Sequence, residues 1–130
     1  MQAILRRALV MALMIVAVLP ARAAETRVAL VIGNGAYAEA APLTNPPNDA
    51  DDVAQALGRL GFTVISGRDL DRRAMERKLR DFTRALGQAD VALLFFAGHG
   101  LQVAGQNWLI PVDAKLETER DLEFEAIRLD

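Results

Sequence analysis

Three short apolar runs alternate with two amphipathic stretches along most of the chain. The runs cover residues 28–32, 62–65 and 91–97, and glycine or Ser-Gly follows each of them. Continuous apolar runs are typical of parallel strands that are buried on both faces. Strands that alternate with helices imply right-handed crossover connections over one sheet. The pattern therefore predicts an α/β fold, a three-layer sandwich with a mainly parallel sheet.

The amphipathic stretches predict two helices. The first is expected to begin at about Asn48, with Asn48 or Asp49 as its N-cap, and to end at Gly61. The second is expected to begin after Asp71 and to end at Gly87. The predicted apolar faces are Val53, Leu57 and Leu60 on the first helix, and Met75, Leu79, Phe82 and Leu86 on the second.

The first 23 residues have a different pattern from the rest. Arg6 and Arg7 precede an apolar run over residues 8–19, and Pro20 and the small-x-small sequence of residues 21–23 follow it. This is the order of a secretory signal peptide, and the run is shorter than the roughly 20 residues of a permanent membrane span. We expect cleavage after Ala23, a domain over residues 24–130, and a periplasmic or secreted product without a permanent membrane anchor.

Composition and charge exclude several classes of function. The 130 residues hold no cysteine and one histidine, so we expect no disulfide, no thiolate or multi-histidine metal site, and no cofactor. The formal net charge is −2. Acidic residues interleave with the basic residues of the second helix, which indicates a solvated face. A nucleic-acid partner is not expected.

Two loops after predicted strands are candidate ligand sites, because ligands of open parallel sheets bind beyond the carboxyl ends of the strands. The first runs from Gly33 to Pro47, and its residues 33–38 match the dinucleotide pattern G-x-G-x-x-A. That pattern requires a helix at the second glycine, which the prolines here prevent. Nucleotide binding is therefore the least favoured alternative.

The second loop is Gly98-His99-Gly100, and it holds the only histidine. An imidazole, whose ordinary pKa is about 6.5, suits a general base, and an amide beside it can donate to an oxyanion. A structural histidine bonded to a loop carbonyl is an equally good interpretation.

Residues 101–103 and 108–112 predict a hairpin beside this loop, with Trp108 as a packing residue. The acidic residues 114–130 predict a linker and the start of a helix.

Five segments occur in a fixed order: RVALVIGN at 27–34, NPPNDA at 45–50, LGF at 60–62, FFAGHG at 95–100 and WLIPVD at 108–113. Together they resemble the bacterial caspase-like proteins, relatives of metacaspases in the caspase clan of cysteine endopeptidases. The resemblance covers roughly residues 27–130. It implies a caspase-like α/β/α sandwich, which agrees with the fold that the pattern predicts, and it implies peptide or protein substrates.

The resemblance implies roles for three residues. His99 matches the histidine of a Cys–His dyad, which is base and then acid, and Gly100 matches the residue whose amide forms half of the oxyanion hole. Asp49 matches an acidic position that binds the Arg or Lys side chain of a substrate. Asp49 also suits a helix N-cap, so both interpretations stay open. Asn34 and Tyr37 match loop residues of the family, and no role is inferred for them.

The chain departs from the family in one respect. The family's nucleophilic cysteine lies on the next strand, whereas these 130 residues contain none. The only serine, Ser66, lies in no nucleophile motif. We expect the N-terminal part of an exported endopeptidase that cleaves after basic residues, truncated before the nucleophile strand and inactive alone. A C-terminal segment or a partner chain would supply the cysteine. The alternative is a non-catalytic module that binds a peptide or protein through the Gly33–Pro47 loop and the third strand, a long apolar edge.

Overall fold

The computed structural model describes residues 23–129. Its first sheet has three parallel strands, β1 (Arg27–Gly33), β2 (Phe62–Arg68) and β3 (Val91–Ala97), in the order β2-β1-β3. Helix α1 (Pro46–Arg59) connects β1 to β2, and helix α2 (Arg72–Leu86) connects β2 to β3. The predicted signal peptide lies, apart from Ala23, outside the described residues and stays a prediction.

The central strand β1 is buried between two apolar clusters, one on each face of the parallel sheet. Its side chains alternate between two apolar clusters, as the period of a strand requires. Ala29 and Val31 pack with Ala50 and Leu57 of α1 on one face. The other face of β1 packs against α2, through Val28, Leu30, Ile32, Met75 and Phe82. A helix thus covers each face of the sheet, which confirms the predicted α/β sandwich.

The outer strands differ from the prediction in burial and length. β2 continues through Ser66 and Gly67 to Arg68, because it pairs with β1 along its whole length. The sequence pattern predicts that all three strands are buried on both faces, but only β1 is, and residues of β3 are intermediate or exposed. In the described part of the chain β3 pairs only with β1, and Leu94 is 37% exposed. The prediction that β3 is an apolar edge is confirmed for these residues.

Helix α1 begins two residues earlier than predicted. Pro46 and Pro47 occupy its first two positions, where a missing N–H group leaves no helical hydrogen bond unmade. Asn45 is the N-cap, so the prediction that Asn48 or Asp49 caps the helix is wrong. The Asp49 amide donates to the Asn45 carbonyl over 2.9 Å, which places Asp49 inside the first turn.

The end of α1 also differs from the pattern. The helix ends at Arg59, and Leu60 is its C-cap. Leu60 is therefore outside the helical period and 60% exposed, rather than on the apolar face. Gly61, at φ 82°, then reverses the chain into β2.

Helix α2 has the predicted boundaries. The Asp71 carboxylate accepts a hydrogen bond from the Ala74 amide at 2.7 Å, as an N-cap does, and Gly87 follows the last residue. Met75 and Phe82 are buried as predicted. Leu86, the final residue of the helix, is 39% exposed and does not complete the predicted stripe.

A second, antiparallel sheet follows β3. It consists of β4 (Gly100–Val103), β5 (Gln106–Leu109) and β6 (Ile127–Leu129), in the order β4-β5-β6. The hairpin was predicted, but its turn is the shorter pair Ala104-Gly105, both at positive φ. Trp108 of β5 is buried in an apolar cluster with Ile110 and Leu122, which confirms it as a packing residue.

The acidic segment 114–130 contains more structure than a linker. A 3₁₀ turn over Glu119–Asp121 leads into the short helix α3 (Leu122–Glu125), and β6 pairs with β5. Leu122 and Ala126 are buried with Trp108. The prediction missed β6 because three residues show no period of their own. Over residues 23–129 the longest helices are too short or too polar to cross a membrane.

We predict that Asp71→Ala lowers the free energy of unfolding by about 1 kcal/mol, because the Ala74 amide loses its capping oxygen. Asn45→Ala is the matched control: Asn45 is also an N-cap, but its side chain makes no cap hydrogen bond, so the loss should be only a few tenths of a kcal/mol. Urea denaturation measures both. Equal losses in the two variants would contradict this assignment.

Candidate functional site

The loops that follow β1 and β3 meet at the carboxyl end of the parallel sheet. His99 is half-buried there, and its Nε2 atom lies 2.7 Å from the carbonyl oxygen of Ala41 in the Gly33–Pro47 loop. The ring centroids of His99 and Tyr37 are 4.5 Å apart, with the planes at 53°. The two loops singled out in the sequence therefore form one site.

The contact with Ala41 defines the tautomer of the imidazole. A carbonyl oxygen accepts hydrogen bonds and cannot donate them, so the Nε2 atom of His99 carries the proton. In the neutral ring the Nδ1 atom then holds the free lone pair. The loop thus leaves one defined nitrogen as a base.

Tyr37 is the second partner of His99. Its hydroxyl accepts a hydrogen bond from the His99 amide at 2.8 Å and donates to the Ile110 carbonyl at 3.0 Å. Burial raises the pKa of Tyr37 above its usual value, the hydrogen bond from the His99 amide opposes this shift, and the nearby Asp69 adds to it. Tyr37 is therefore a neutral hydroxyl that can both donate and accept.

Asn34, the residue directly after β1, is fully buried below this site. Its Oδ1 atom accepts from the Leu70 amide at 2.9 Å, and its Nδ2 atom donates to the carbonyls of Leu70 at 3.4 Å and Ile110 at 3.3 Å. Its own amide donates to the Ala97 carbonyl at 2.8 Å. One buried residue, through its backbone amide and its side-chain amide, thus joins the ends of β1 and β3 to the β2–α2 connection and to the residue after β5.

Asp69 holds the start of the loop that carries Tyr37. One of its carboxylate oxygens accepts hydrogen bonds from the amides of Gly35 and Ala36, both at 2.9 Å. The Gly35 carbonyl then accepts from the Leu43 amide at 2.9 Å. A side chain at position 35 would lie 2.1 Å from the Leu43 carbonyl oxygen, so this close approach requires glycine.

Gly100, the first residue of β4, has an amide that points outward. The Ile110 amide donates to the His99 carbonyl at 3.1 Å, which places His99 and Ile110 opposite each other as a hydrogen-bonded pair that continues the antiparallel ladder. Such pairs alternate with pairs that share no hydrogen bonds, and Gly100 opposite Leu109 is the next pair. The Gly100 N–H therefore faces away from β5, and Gly100 is exposed.

Asp49 lies on a different element, in the first turn of α1. The residue is exposed, and in the described part of the chain its carboxylate has no hydrogen-bond or ion-pair partner. It follows the loop that carries Ala41 and Tyr37. The other two acidic residues near the start of α1 are Asp51, which pairs with Arg68 at 3.0 Å, and the exposed Asp52.

Other kinds of site find little support in the described residues. A dinucleotide site needs a helix at Gly35, whereas α1 begins at Pro46. Over residues 23–129, no group of three or more His, Asp or Glu side chains is placed to hold a metal ion. One surface groove of about 320 Å³ lies over Val103 and Trp108 and does not include His99.

The sequence patterns indicate no role for Asn34 or Tyr37. Their partners lie 36 to 76 residues away along the chain, so no local period reveals them. One signal was available for Tyr37, the only tyrosine. An aromatic ring with a polar tip, in a loop of small residues, is typical of a buried side chain that needs a hydrogen-bond partner.

Comparison with known proteins places this arrangement in context. The family described as the caspase domain matches residues 26–130. The chain is 36% identical over 91 residues to mucosa-associated lymphoid tissue lymphoma translocation protein 1 of Homo sapiens, and to its homolog of Mus musculus at the same identity. The matched segment covers 70% of this chain but 11% of each relative, so the chain spans about a tenth of the length of these curated relatives.

We predict that Tyr37 in the folded chain titrates at a higher pH than in the denatured chain, where the pKa should be about 10. The absorbance of tyrosinate reports this one group, because the sequence has a single tyrosine. Since the folded state holds the proton more tightly, the contribution of Tyr37 to stability is complete below about pH 10 and decreases above it. Tyr37→Phe is the control without a signal. Identical titrations in the two states would contradict the burial of the hydroxyl.

Proposed function

The chain belongs to the caspase-domain family, and on that basis we propose that it forms the histidine-bearing part of a cysteine-type endopeptidase. One observation carries the proposal: at the carboxyl end of the sheet, His99 is held by Ala41 with Nδ1 free, next to the outward amide of Gly100. A general base beside an oxyanion donor is the arrangement that acyl transfer requires.

The geometry supports a defined sequence of proton transfers. The Nδ1 atom of His99 takes the proton of a thiol, and the thiolate sulfur attacks the peptide carbonyl carbon. The Gly100 N–H stabilises the oxyanion that develops. The C–N bond then breaks as Nδ1 returns the proton to the leaving amine, and water hydrolyses the thioester with His99 again as the base.

The nucleophile in this proposal comes from outside the 130 residues, in a further segment or a partner chain. The sequence contains no cysteine. Ser66 is not a substitute, because it lies on β2, which β1 separates from β3 and from the loop of His99. The free edge of β3, with the exposed Leu94, is where an additional strand would pair.

We extend the proposal to substrate choice through Asp49. A carboxylate without a protein partner can form a charge-assisted hydrogen bond with a guanidinium or ammonium group. Asp49 is exposed at the start of α1, directly after the loop that contacts His99. Cleavage after Arg or Lys is the specificity that this placement favours.

A non-catalytic binding module is the second candidate function. The observation that favours it is the edge of β3, where a row of backbone groups and the partly exposed Leu94 can accept a strand of another chain. For both candidate functions we propose that residues 1–23 direct export to the periplasm or the medium and are then removed. N-terminal sequencing of the native product tests this cleavage, and a product that still begins with Met1 would refute it.

We predict that His99→Ala in the native product lowers peptidase activity on peptides with Arg or Lys at the cleavage position by on the order of 10⁴-fold. The matched control is Gln102→Ala, an exposed residue of β4 that should leave the activity unchanged. The 130 residues produced alone should be inactive, since they contain no thiol nucleophile.

Two results would decide between the candidate functions. Activity that survives His99→Ala would refute the role of His99. A native product that contains no cysteine, by intact mass and peptide mapping, would refute the peptidase and favour the binding module.

We predict that Asp49→Asn weakens cleavage after Arg or Lys by about tenfold to a hundredfold in kcat/KM, because a neutral amide loses the charge-assisted part of the contact. Cleavage after uncharged residues should change little. Asp52→Asn is the control, since Asp52 is exposed on the same helix. Equal effects of the two substitutions would show that only the total charge matters, and the assignment to Asp49 would be withdrawn.

A further inference from the structure

We propose that Tyr37 is the positioning residue for His99. Its hydroxyl replaces one backbone hydrogen bond, the one between the His99 amide and the Ile110 carbonyl, at the end of the β4–β5 ladder. The inference rests on the proposed function for its catalytic consequence. Its structural part concerns only the imidazole and stands without that function.

The ladder shows what the hydroxyl replaces. His99 and Ile110 extend the β4–β5 register by one pair, and the Ile110 amide donates to the His99 carbonyl at 3.1 Å. A regular hydrogen-bonded pair also has the reciprocal bond, which here would run from the His99 amide to the Ile110 carbonyl. Here the Tyr37 hydroxyl stands between these two groups, at 2.8 Å from the amide nitrogen and 3.0 Å from the carbonyl oxygen.

The position of the insertion matters for the imidazole. His99 lies where the chain leaves β3 at Ala97 and enters β4 at Gly100. A direct hydrogen bond from the His99 amide to the Ile110 carbonyl would draw the backbone of His99 toward β5. With the hydroxyl in between, the backbone stays nearer to the Gly33–Pro47 loop, where the Ala41 carbonyl meets Nε2 at 2.7 Å.

The absence of a side chain at Gly98 leaves room for the same hydroxyl. The φ of Gly98 is 156°, and a Cβ atom there would lie 2.6 Å from the Tyr37 hydroxyl oxygen and 3.1 Å from the Asn34 carbonyl oxygen. Any side chain at position 98 would displace Tyr37. The Tyr37 ring also lies against the imidazole, so that one residue holds the backbone and the ring of His99.

NMR of the full chain tests the structural part, since its single histidine gives one set of ring signals. In the wild type we expect one dominant tautomer, with the proton on Nε2. In Tyr37→Phe, which keeps the ring and removes the hydroxyl, we expect the tautomer mixture of a free imidazole. Leu122→Ala is the control, because it removes a buried side chain of the same apolar cluster without a hydrogen bond or ring contact to His99.

A merely structural role predicts a different result. In that case Tyr37→Phe and Leu122→Ala lower the melting temperature but leave the ring signals of His99 as in the wild type, and the proposal is refuted. Should Tyr37→Phe fail to fold, 3-fluorotyrosine at this single tyrosine keeps the fold and makes the hydroxyl a poorer acceptor. The His99 amide proton should then shift upfield, and an unchanged shift refutes the proposal.

The catalytic part is measured on the native product. We expect Tyr37→Phe to lower kcat by about tenfold to a hundredfold with KM within about twofold, since a displaced base weakens the transition state more than substrate binding. Unchanged kcat with altered ring signals would refute only this part. Loss of the proposed function is recognised separately, by peptidase activity that survives His99→Ala.

Discussion

The buried amide of Asn34 is the interaction on which the architecture of the site depends. It sits at the end of the most buried strand, and its contacts reach the connection after β2 and the residue after β5, while its backbone amide bonds to the end of β3. A buried amide that loses its partners costs about 1–3 kcal/mol, so these segments are held as one unit. The parallel sheet and the antiparallel sheet are thereby joined at the point where His99 lies.

From this anchor the site is built outward by groups that are mostly uncharged. Asp69 orders the first turn of the loop through two amides, and the loop then presents the Tyr37 hydroxyl and the Ala41 carbonyl to His99. At Tyr37 burial explains the uncharged group, because a buried charge under the imidazole would be costly to desolvate, whereas a hydroxyl is satisfied by one or two hydrogen bonds.

Local patterns predicted those parts of the molecule that depend on local physics. The limits of β1 and β3 follow from apolar runs that end at glycine, and the N-cap at Asp71 follows from its chemistry. The start of α1 was misplaced because prolines were treated as breakers, although two prolines in the first turn suit a helix. That signal was present in the sequence.

Other features have no local signal at all. The strand β6 is short and is defined by pairing with β5, and the roles of Asn34 and Tyr37 are defined by partners far along the chain. The position of His99 after β3 was predictable from the rule for parallel sheets, but the atoms that hold its ring were not. Patterns thus locate the site, and only tertiary packing shows how it is held.

In the proposed endopeptidase, the neutral partner of His99 bears on which nucleophile the imidazole can activate. A carboxylate at this position would stabilise an imidazolium strongly, as in the triads that activate serine. In the described residues the ring nitrogen meets the Ala41 carbonyl instead, which fixes the tautomer but offers only a dipole to a developing positive charge. A thiol, with an ordinary pKa of about 8.5, is acidic enough to need little such help, whereas a serine hydroxyl is not. In the proposed endopeptidase, the way His99 is held therefore favours a cysteine over a serine as the nucleophile.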